Sequence, residues 1–371
     1  MSRVLTSTNG NSTSANGSSE YDAYLANLSF KCSVTDSKGP RRTMEDAHTI
    51  TVPFAGIYGQ GFFAIFDGHA GKQAAEWCGA NFSTCFLEAI KRDPAAPIPD
   101  VFNTTFHDVD GHLSRLSEES DGKMHAGCTA VTAFLRLEDA DGMQSFLPPQ
   151  FDPIETALKD MHPEAEQSEG DEKTTNRSRI KNFFKSGHDH PSSPTIHDSH
   201  SGEGKNAWPL PVNAAVRRVL YCANVGDARG VLCRAGRAIR LTYDHKGSDK
   251  QEAKRIMDAG GFVMSGRVNG VLAVTRSLGD SSMKEYVVGA PYTTETELTE
   301  EDEFLILACD GLWDVVEDQK ACELVRNISD CRRAAEELLD YAYKNYSTDN
   351  VTVLVTRFRN PPGVTAPEPS H

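Results

Sequence analysis

Residues 62–72 read FFAIFDGHAGK. A five-residue apolar run ends in Asp67, Gly68 and His69, and helix-forming residues follow. Alone, this Asp-Gly reads as a tight turn, because both residues suit the backbone angles of short loops. The rest of the chain changes that reading. FLILACDGLWDVV (304–316) repeats the design, with an apolar run ending in Asp310-Gly311. YCANVGDARG (221–230) places Asp227 after Gly226, and LAVTRSLGD (272–280) brings Asp280 to the end of another apolar stretch. YSTDNVTVLVT (346–356) sets Asp349 just before a β-branched run, and RRTMEDAHT (41–49) supplies Glu45 beside Asp46. One Asp-Gly is a turn; six acidic sites at the rims of buried strands call for a cation. Carboxylates buried without counter-charge are costly. Hard divalent ions take oxygen ligands, and Mg²⁺ binds a few carboxylates while keeping several waters. No His/Cys ligand set accompanies them, which argues against zinc and suits Mg²⁺ or Mn²⁺. Glycine after the Asp lets backbone come close to the ion.

Composition narrows the partners. The 371 residues carry a formal net charge of −15, with 39% hydrophobic residues. Such an acidic chain repels a phosphate backbone and anionic lipid, so neither nucleic acid nor membrane is expected as a partner. No run of 18 apolar residues exists to span a bilayer. Nine cysteines, without C-x-x-C spacing and several within apolar runs, read as small buried hydrophobes in a reducing compartment. Residues 1–20 lack an apolar signal region and read as a Ser-rich disordered tail, a better fit than a transit peptide with one Arg.

Folded sequence is expected from 21 to 358. FFAIF and CTAVTAFLRL (128–137) read as strands, and residues 71–92 and 100–117 as amphipathic helices. SDKQEAKRIMDAGG (248–261) suggests a helix capped by Ser248 and stopped by Gly260-Gly261; EDQKACELVRNI and CRRAAEELLDYAYKN suggest two more. This mixed order implies α+β or layered α/β architecture. Residues 138–211 turn rich in Pro, Ser, Asp, Glu and His and read as a disordered insertion between neighbouring strands of one domain. Within it RSRIKNFFKSG, four histidines (188, 190, 197, 200) and Ser193-Pro194 invite docking, metal or phosphorylation readings, with a solvated linker the plainer one. Residues 359–371 read as a second tail.

The ordered set RRTMEDAHT, FFAIFDGHAG, GCTAVTAFL, ANVGDARG, LTYDHKGSD, GRVNGVLAVTRSLGD, ILACDGLWDV and TDNVTV resembles the metal-dependent protein Ser/Thr phosphatases of the type 2C family. The resemblance runs from about Phe30 to Arg357 outside the insertion. It implies a layered α+β fold, a β-sandwich of two antiparallel sheets flanked by helices, with two metal ions at one end. By motif position, Asp67 would bridge both ions. Gly68, through its carbonyl, and Glu45 would serve one, Asp310 and Asp349 the other, and Asp46 would orient a water. Asp227 and Asp314 match a third, weaker site used by some members, or else a turn and a cap. Arg41 matches a phosphate-binding Arg, with Arg42 an adjacent rival. His69 would protonate the leaving oxygen, unless it caps the following helix. His48 and His245 take supporting roles. Arg267 falls in a region resembling the flap beside the active site and would contact substrate. Ala228 stands where many members carry Ser. FDGHAGKQAAEWCG, RLTYDHKGSD and LAVTRSLGD look closest to the fungal type-1 branch. That implies a monomeric hydrolase of cytoplasm and nucleus acting on phosphoproteins, with a MAP kinase or its upstream kinase in stress signalling as substrate.

Rival classes fit less well. GHAGKQ lacks the first Gly and the final Ser or Thr of a nucleotide-binding loop. A metallonuclease would share the carboxylates but not the acidity. A catalytically dead phosphatase serving as a binding module would show by loss of a metal Asp, and Asp67, Asp310 and Asp349 are all present.

Overall fold

A computed structural model describes residues 5–6, 30–57, 59–120, 125–139, 142 and 216–358. Of the N-terminal tail only residues 5–6 are described, and they form a strand paired with residues 31–32 rather than disordered chain; the C-terminal tail, the motifs of the insertion and residues 21–29 lie outside the described residues.

Two antiparallel sheets form the centre. One has six strands, β1 (Leu5–Thr6), β2 (Lys31–Ser37), β16 (Val351–Arg357), β15 (Asp302–Ala308), β9 (Arg229–Arg234) and β10 (Arg237–Arg240), in that spatial order. The other has five, β14 (Tyr292–Glu297), β8 (Arg217–Val225), β7 (Ala130–Glu138), β4 (Gly61–Phe66) and β3 (Ala47–Thr51). Side chains alternate faces along a strand, and here both faces are apolar. Phe63 and Ile65 of β4 meet Leu305 and Leu307 of β15 between the sheets. Phe62, Ala64 and Phe66 face outward onto helices α1 (Gln73–Arg92) and α2 (Ile98–Glu119), in a cluster with Phe82, Phe86, Phe102 and Phe106. Phe304 and Ile306 of β15 face α5 (Asp318–Val325) and α6 (Cys331–Lys344), against Ala334, Ala335 and Leu338. Burial on both faces explains why these strands read as unbroken apolar runs. The layers are therefore helix, sheet, sheet, helix, as expected for the α+β sandwich.

β7 and β8 pair along their whole length, Ala130 opposite Val225 and Glu138 opposite Arg217. Residues 139–216 thus connect adjacent antiparallel strands. Glu138, expected to open the insertion, is the last residue of β7. It is buried, accepting from Tyr221 Oη (2.7 Å) and Arg136 Nη1 (3.2 Å). Helix α3 (Lys250–Asp258) starts one residue later than its sequence cue. Asp249 rather than Ser248 is the cap, accepting from the amides of Gln251 and Glu252, because a carboxylate one residue further on reaches both free amides. All nine cysteines are free, and eight are buried. Among the described residues no helix is long and apolar enough to cross a membrane.

Candidate metal centre and active site

The acidic residues come from four separate parts of the sandwich. Asp67 follows β4, Asp46 immediately precedes β3, Asp310 opens the short helix α4 (Asp310–Trp313) after β15, and Asp349 lies two residues before β16. An oxygen of Asp67 lies within 4.8 Å of one of Asp46, and among the neighbouring charges that of Asp310 acts on Asp67 most strongly. Burial, then the charges of Asp310, Asp46, Asp227 and Asp349, drives the Asp67 carboxyl well above the ordinary carboxylate range. Burial, reinforced by Asp227, Asp314 and Asp349, pushes Asp310 up to about 7. Asp46 is pushed up to about 6 by burial, with the Thr352 hydroxyl (2.7 Å) and the Cys309 thiol opposing and Asp349 adding. Like charges this close cannot all ionise without a cation.

The glycines of both Asp-Gly pairs have a steric reason. A Cβ on Gly68 would lie 2.3 Å from the Glu45 carbonyl oxygen, and one on Gly311 would lie 2.0 Å from that of Asn350. Each glycine lets the segment carrying the next carboxylate come into contact. Asn350 ties that segment down. Its amide nitrogen donates to the carbonyls of Lys38 (2.9 Å) and Thr43 (3.0 Å), and its amide oxygen accepts from the Glu45 N–H (2.8 Å). Sequence reasoning passed over Asn350, since an amide carries no charge; its position inside TDNVTV was the available signal.

Arg41 donates to Asp349 Oδ2 at 2.6 Å, whereas Arg42 is exposed; of the two, Arg41 reaches the cluster. The Thr43 hydroxyl bonds Glu45 Oε1 (3.0 Å). Asp227 sits in the turn between β8 and β9. Lys246 Nζ lies 3.2 Å from both Asp227 Oδ2 and Asp314 Oδ1, so an ammonium bridges this pair. Arg267, on the two-residue strand β12 (Arg267–Val268), donates to the Val271 carbonyl (2.8 Å). Among the described residues no hydrogen bond or ion pair joins it to the carboxylates. His69 does not cap α1, whose N-cap is Lys72 without a side-chain bond. It pairs instead with Asp280, Nε2 to Oδ2 at 2.7 Å. Asp280, read from sequence as one more rim carboxylate, therefore has a different partner from the rest. His245 is buried against the Gly226 carbonyl (Nδ1 3.2 Å), and burial, then Arg276, takes its pKa down to about 4. Burial likewise lowers His48, which sits on β3.

The donor set fits hard divalent ions. One ligand atom each from Asp46, Asp67 and Cys309 lies within 4.8 Å of the others. The Cys309 thiol is already committed, donating to the Asn350 carbonyl (3.5 Å) and accepting from the Thr352 N–H (3.2 Å), and burial holds it protonated. That leaves oxygen donors, the set for Mg²⁺ or Mn²⁺.

A family model, protein phosphatase 2C, matches residues 30–141 and 154–351. Protein phosphatase 2C homolog 1 of Saccharomyces cerevisiae is 40% identical over 332 residues, 88% of this chain and 93% of that protein. Its namesake in Schizosaccharomyces pombe is 37% identical over 324 residues, 87% of this chain and 71% of that protein. A serine-threonine phosphatase 2C from Toxoplasma gondii shares the fold, with a TM-score of 0.60 at 19% identity over 89% of this chain and 95% of that one. Motif order, chain-long identity and architecture agree: the chain belongs to the protein phosphatase 2C family and is a metal-dependent protein serine/threonine phosphatase.

Proposed function

We propose that this phosphatase hydrolyses phosphoserine and phosphothreonine in proteins at a two-ion Mg²⁺ or Mn²⁺ centre built on Asp67. The observation that carries it is the convergence of carboxylates on buried Asp67: an Asp46 oxygen lies within 4.8 Å of one of its own, and the charges of Asp310, Asp46, Asp227 and Asp349 all act on it. Asp67 would be a ligand to both ions. The Gly68 carbonyl and Glu45 would serve one ion, Asp310 and Asp349 the other. When bound, the ions supply a water of lowered pKa and neutralise charge on the phosphoryl oxygens. The Asp46 carboxylate, fixed by the Thr352 hydroxyl, would orient such a water. Arg41 is more than half exposed, and its bond to Asp349, the one it makes among the described residues, leaves N–H groups for two phosphate oxygens. His69 holds the proton that the departing Ser or Thr oxygen requires. Asp227 and Asp314 form a third cation site, for which the Lys246 ammonium is the resident competitor. Arg267 reads the protein around the phosphate rather than the phosphate itself.

From the resemblance of FDGHAGKQAAEWCG, RLTYDHKGSD and LAVTRSLGD to the fungal type-1 branch we infer a substrate that is a MAP kinase of a stress cascade or its upstream kinase, met in cytoplasm and nucleus by a monomeric enzyme. The unit is one phosphatase domain, 21–358, interrupted at 138–211. The test is phosphate release from a phosphothreonine peptide with Mn²⁺ or Mg²⁺, with EDTA, and with Asp67→Asn. Metal-dependent release that the substitution abolishes is expected. No release from folded wild type in either metal would overturn the reading and leave a binding module. For the pathway, a dually phosphorylated MAP kinase should be dephosphorylated at Thr with a kcat/KM tenfold or more above that of an unrelated phosphoprotein. Equal values would refute the assignment.

A further inference from the structure

Asp280 stands apart from the other rim carboxylates. Its side chain is 8% exposed, and its Oδ2 faces His69 Nε2 at 2.7 Å while also accepting the Ser277 hydroxyl. A three-stranded ribbon sets this pairing: β13 (Leu278–Gly279), β6 (Gly127–Cys128) and β5 (Gly68–His69) lie side by side in that order. His69 is opposite Gly127, and Gly127 is opposite Gly279. The Asp280 carboxylate must therefore pass the middle strand to reach His69. Gly127 leaves the room, since a Cβ there would fall 2.2–2.6 Å from the carboxylate atoms. The chain aims Asp280 through two successive left-handed residues, Gly279 (φ 82°) and Asp280 itself (φ 47°). A non-glycine residue in that region is held there by its surroundings. Those surroundings are present: Asp110 of α2 accepts from the Gly279 N–H (2.9 Å) and pairs with Lys284 (2.7 Å), whose ammonium also donates to the Ser277 carbonyl (3.0 Å).

We propose that Asp280 is the positioning residue for His69: it holds the Nε2–H, fixing the ring and leaving Nδ1 as the nitrogen that carries the transferable proton. This rests on the reading of His69 as the proton donor. As the bond from phosphorus to the Ser or Thr oxygen breaks, the Nδ1 proton passes to that oxygen. The attacking water forms the new P–O bond and gives a proton to solvent. The imidazole left behind is neutral, still bonded through Nε2–H to Asp280, and regains its Nδ1 proton from bulk water. A carboxylate that fixes an imidazole tautomer acts through the ring and does not touch substrate.

The experiment compares wild type, His69→Gln, Asp280→Asn and the double variant on two substrates. A phosphothreonine peptide releases an alkoxide that needs the proton; p-nitrophenyl phosphate releases a phenolate that does not. Asn is chosen because it accepts left-handed backbone angles. In each single variant kcat for the peptide should fall at least tenfold further than kcat for the nitrophenyl ester, and the double variant should be no slower than His69→Gln. Gly127→Ala should give the same substrate-selective loss from the strand side. In metal-free protein, ¹⁵N shifts of the His69 ring should report protonated Nε2 in wild type and a tautomer mixture in Asp280→Asn. Equal losses on both substrates in Asp280→Asn, multiplicative losses in the double variant, or an unchanged tautomer would each overturn the proposal. Selectivity in His69→Gln without it in Asp280→Asn would remove Asp280 and leave the donor standing. Its absence in His69→Gln would remove the donor, and the proposal with it.

Discussion

Gly68→Ala is the sharpest probe of how the metal centre is assembled. The added Cβ would stand 2.3 Å from the Glu45 carbonyl oxygen, where ordinary contact begins near 3.4 Å. The obstacle is backbone, so no side chain can swing away. Either β5 or the Glu45–Asp46 segment must retreat by about 1 Å, and that segment is clamped through Asn350. The retreat separates Asp67 from Asp46, whose ligand oxygens lie within 4.8 Å of each other. A misplacement of about 1 Å in catalytic groups costs on the order of 10²-fold in rate, and overpacking of this kind costs about 1–3 kcal/mol of stability. Gly311→Ala, with its Cβ 2.0 Å from the Asn350 carbonyl oxygen, should behave alike. Gly111→Ala is the control. It sits inside α2 with its nearest neighbour, Arg115 Nη1, at 3.8 Å, and should stabilise by about 0.5–1 kcal/mol through helix propensity without touching activity. The assay is kcat/KM on a phosphothreonine peptide at saturating Mn²⁺, beside urea unfolding with and without EDTA. Gly68→Ala with activity within threefold of wild type would refute the close-approach argument.

Three further outcomes follow from the packing and the charges. In EDTA the folded protein holds protons on Asp310 to about pH 7 and on Asp46 to about pH 6, while the unfolded chain releases them near pH 4. Stability of metal-free protein should therefore fall as pH rises from about 4 to about 7. Asp310→Asn should flatten that slope in urea melts, and identical slopes would exclude the cluster as its source. Phe86, stacked on Phe102 (4.5 Å) and packed on Phe54, Phe62 and Phe134, should cost about 3–5 kcal/mol as Phe86→Ala; a loss under about 1 kcal/mol would contradict the packing. Glu252, buried on α3, accepts from Arg276, Arg255 and the Thr275 hydroxyl. Glu252→Ala leaves two guanidinium groups short of a partner and should cost on the order of 3 kcal/mol, with faster amide exchange across residues 246–290. Unchanged exchange would show that the ion pairs do not hold that segment.

Individual strands were legible because their composition reflects burial on both faces: FFAIF and FLILA can go nowhere but between a sheet and a helix layer. Their partners were not. β16 lies between β2, about 300 residues away in sequence, and β15, and no local periodicity encodes which strand lies next to which. That is why the sandwich came from family resemblance rather than from pattern. The acidic rim was legible residue by residue, but only the tertiary structure sorts it, sending Asp67, Asp46 and Asp310 to one cluster, Asp280 to His69 and Asp227 to Lys246. Arg267 lies near the right motif too, on a hairpin where its Nη1 donates to the Val271 carbonyl. The two Asp-Gly pairs show why the turn reading was incomplete rather than wrong. A glycine suits a turn because it lacks a Cβ, and the same absence admits the carbonyl of a distant segment, Glu45 or Asn350, beside the residue that follows the aspartate. Sequence states that a Cβ is not tolerated; it does not state whether backbone angle or a distant segment forbids it. Neither Gly68 nor Gly311 has a positive φ, whereas Gly226 and Gly279 do. Beside Asp67 and Asp310 the constraint is therefore contact across the fold, and beside Asp227 and Asp280 it includes the local angle.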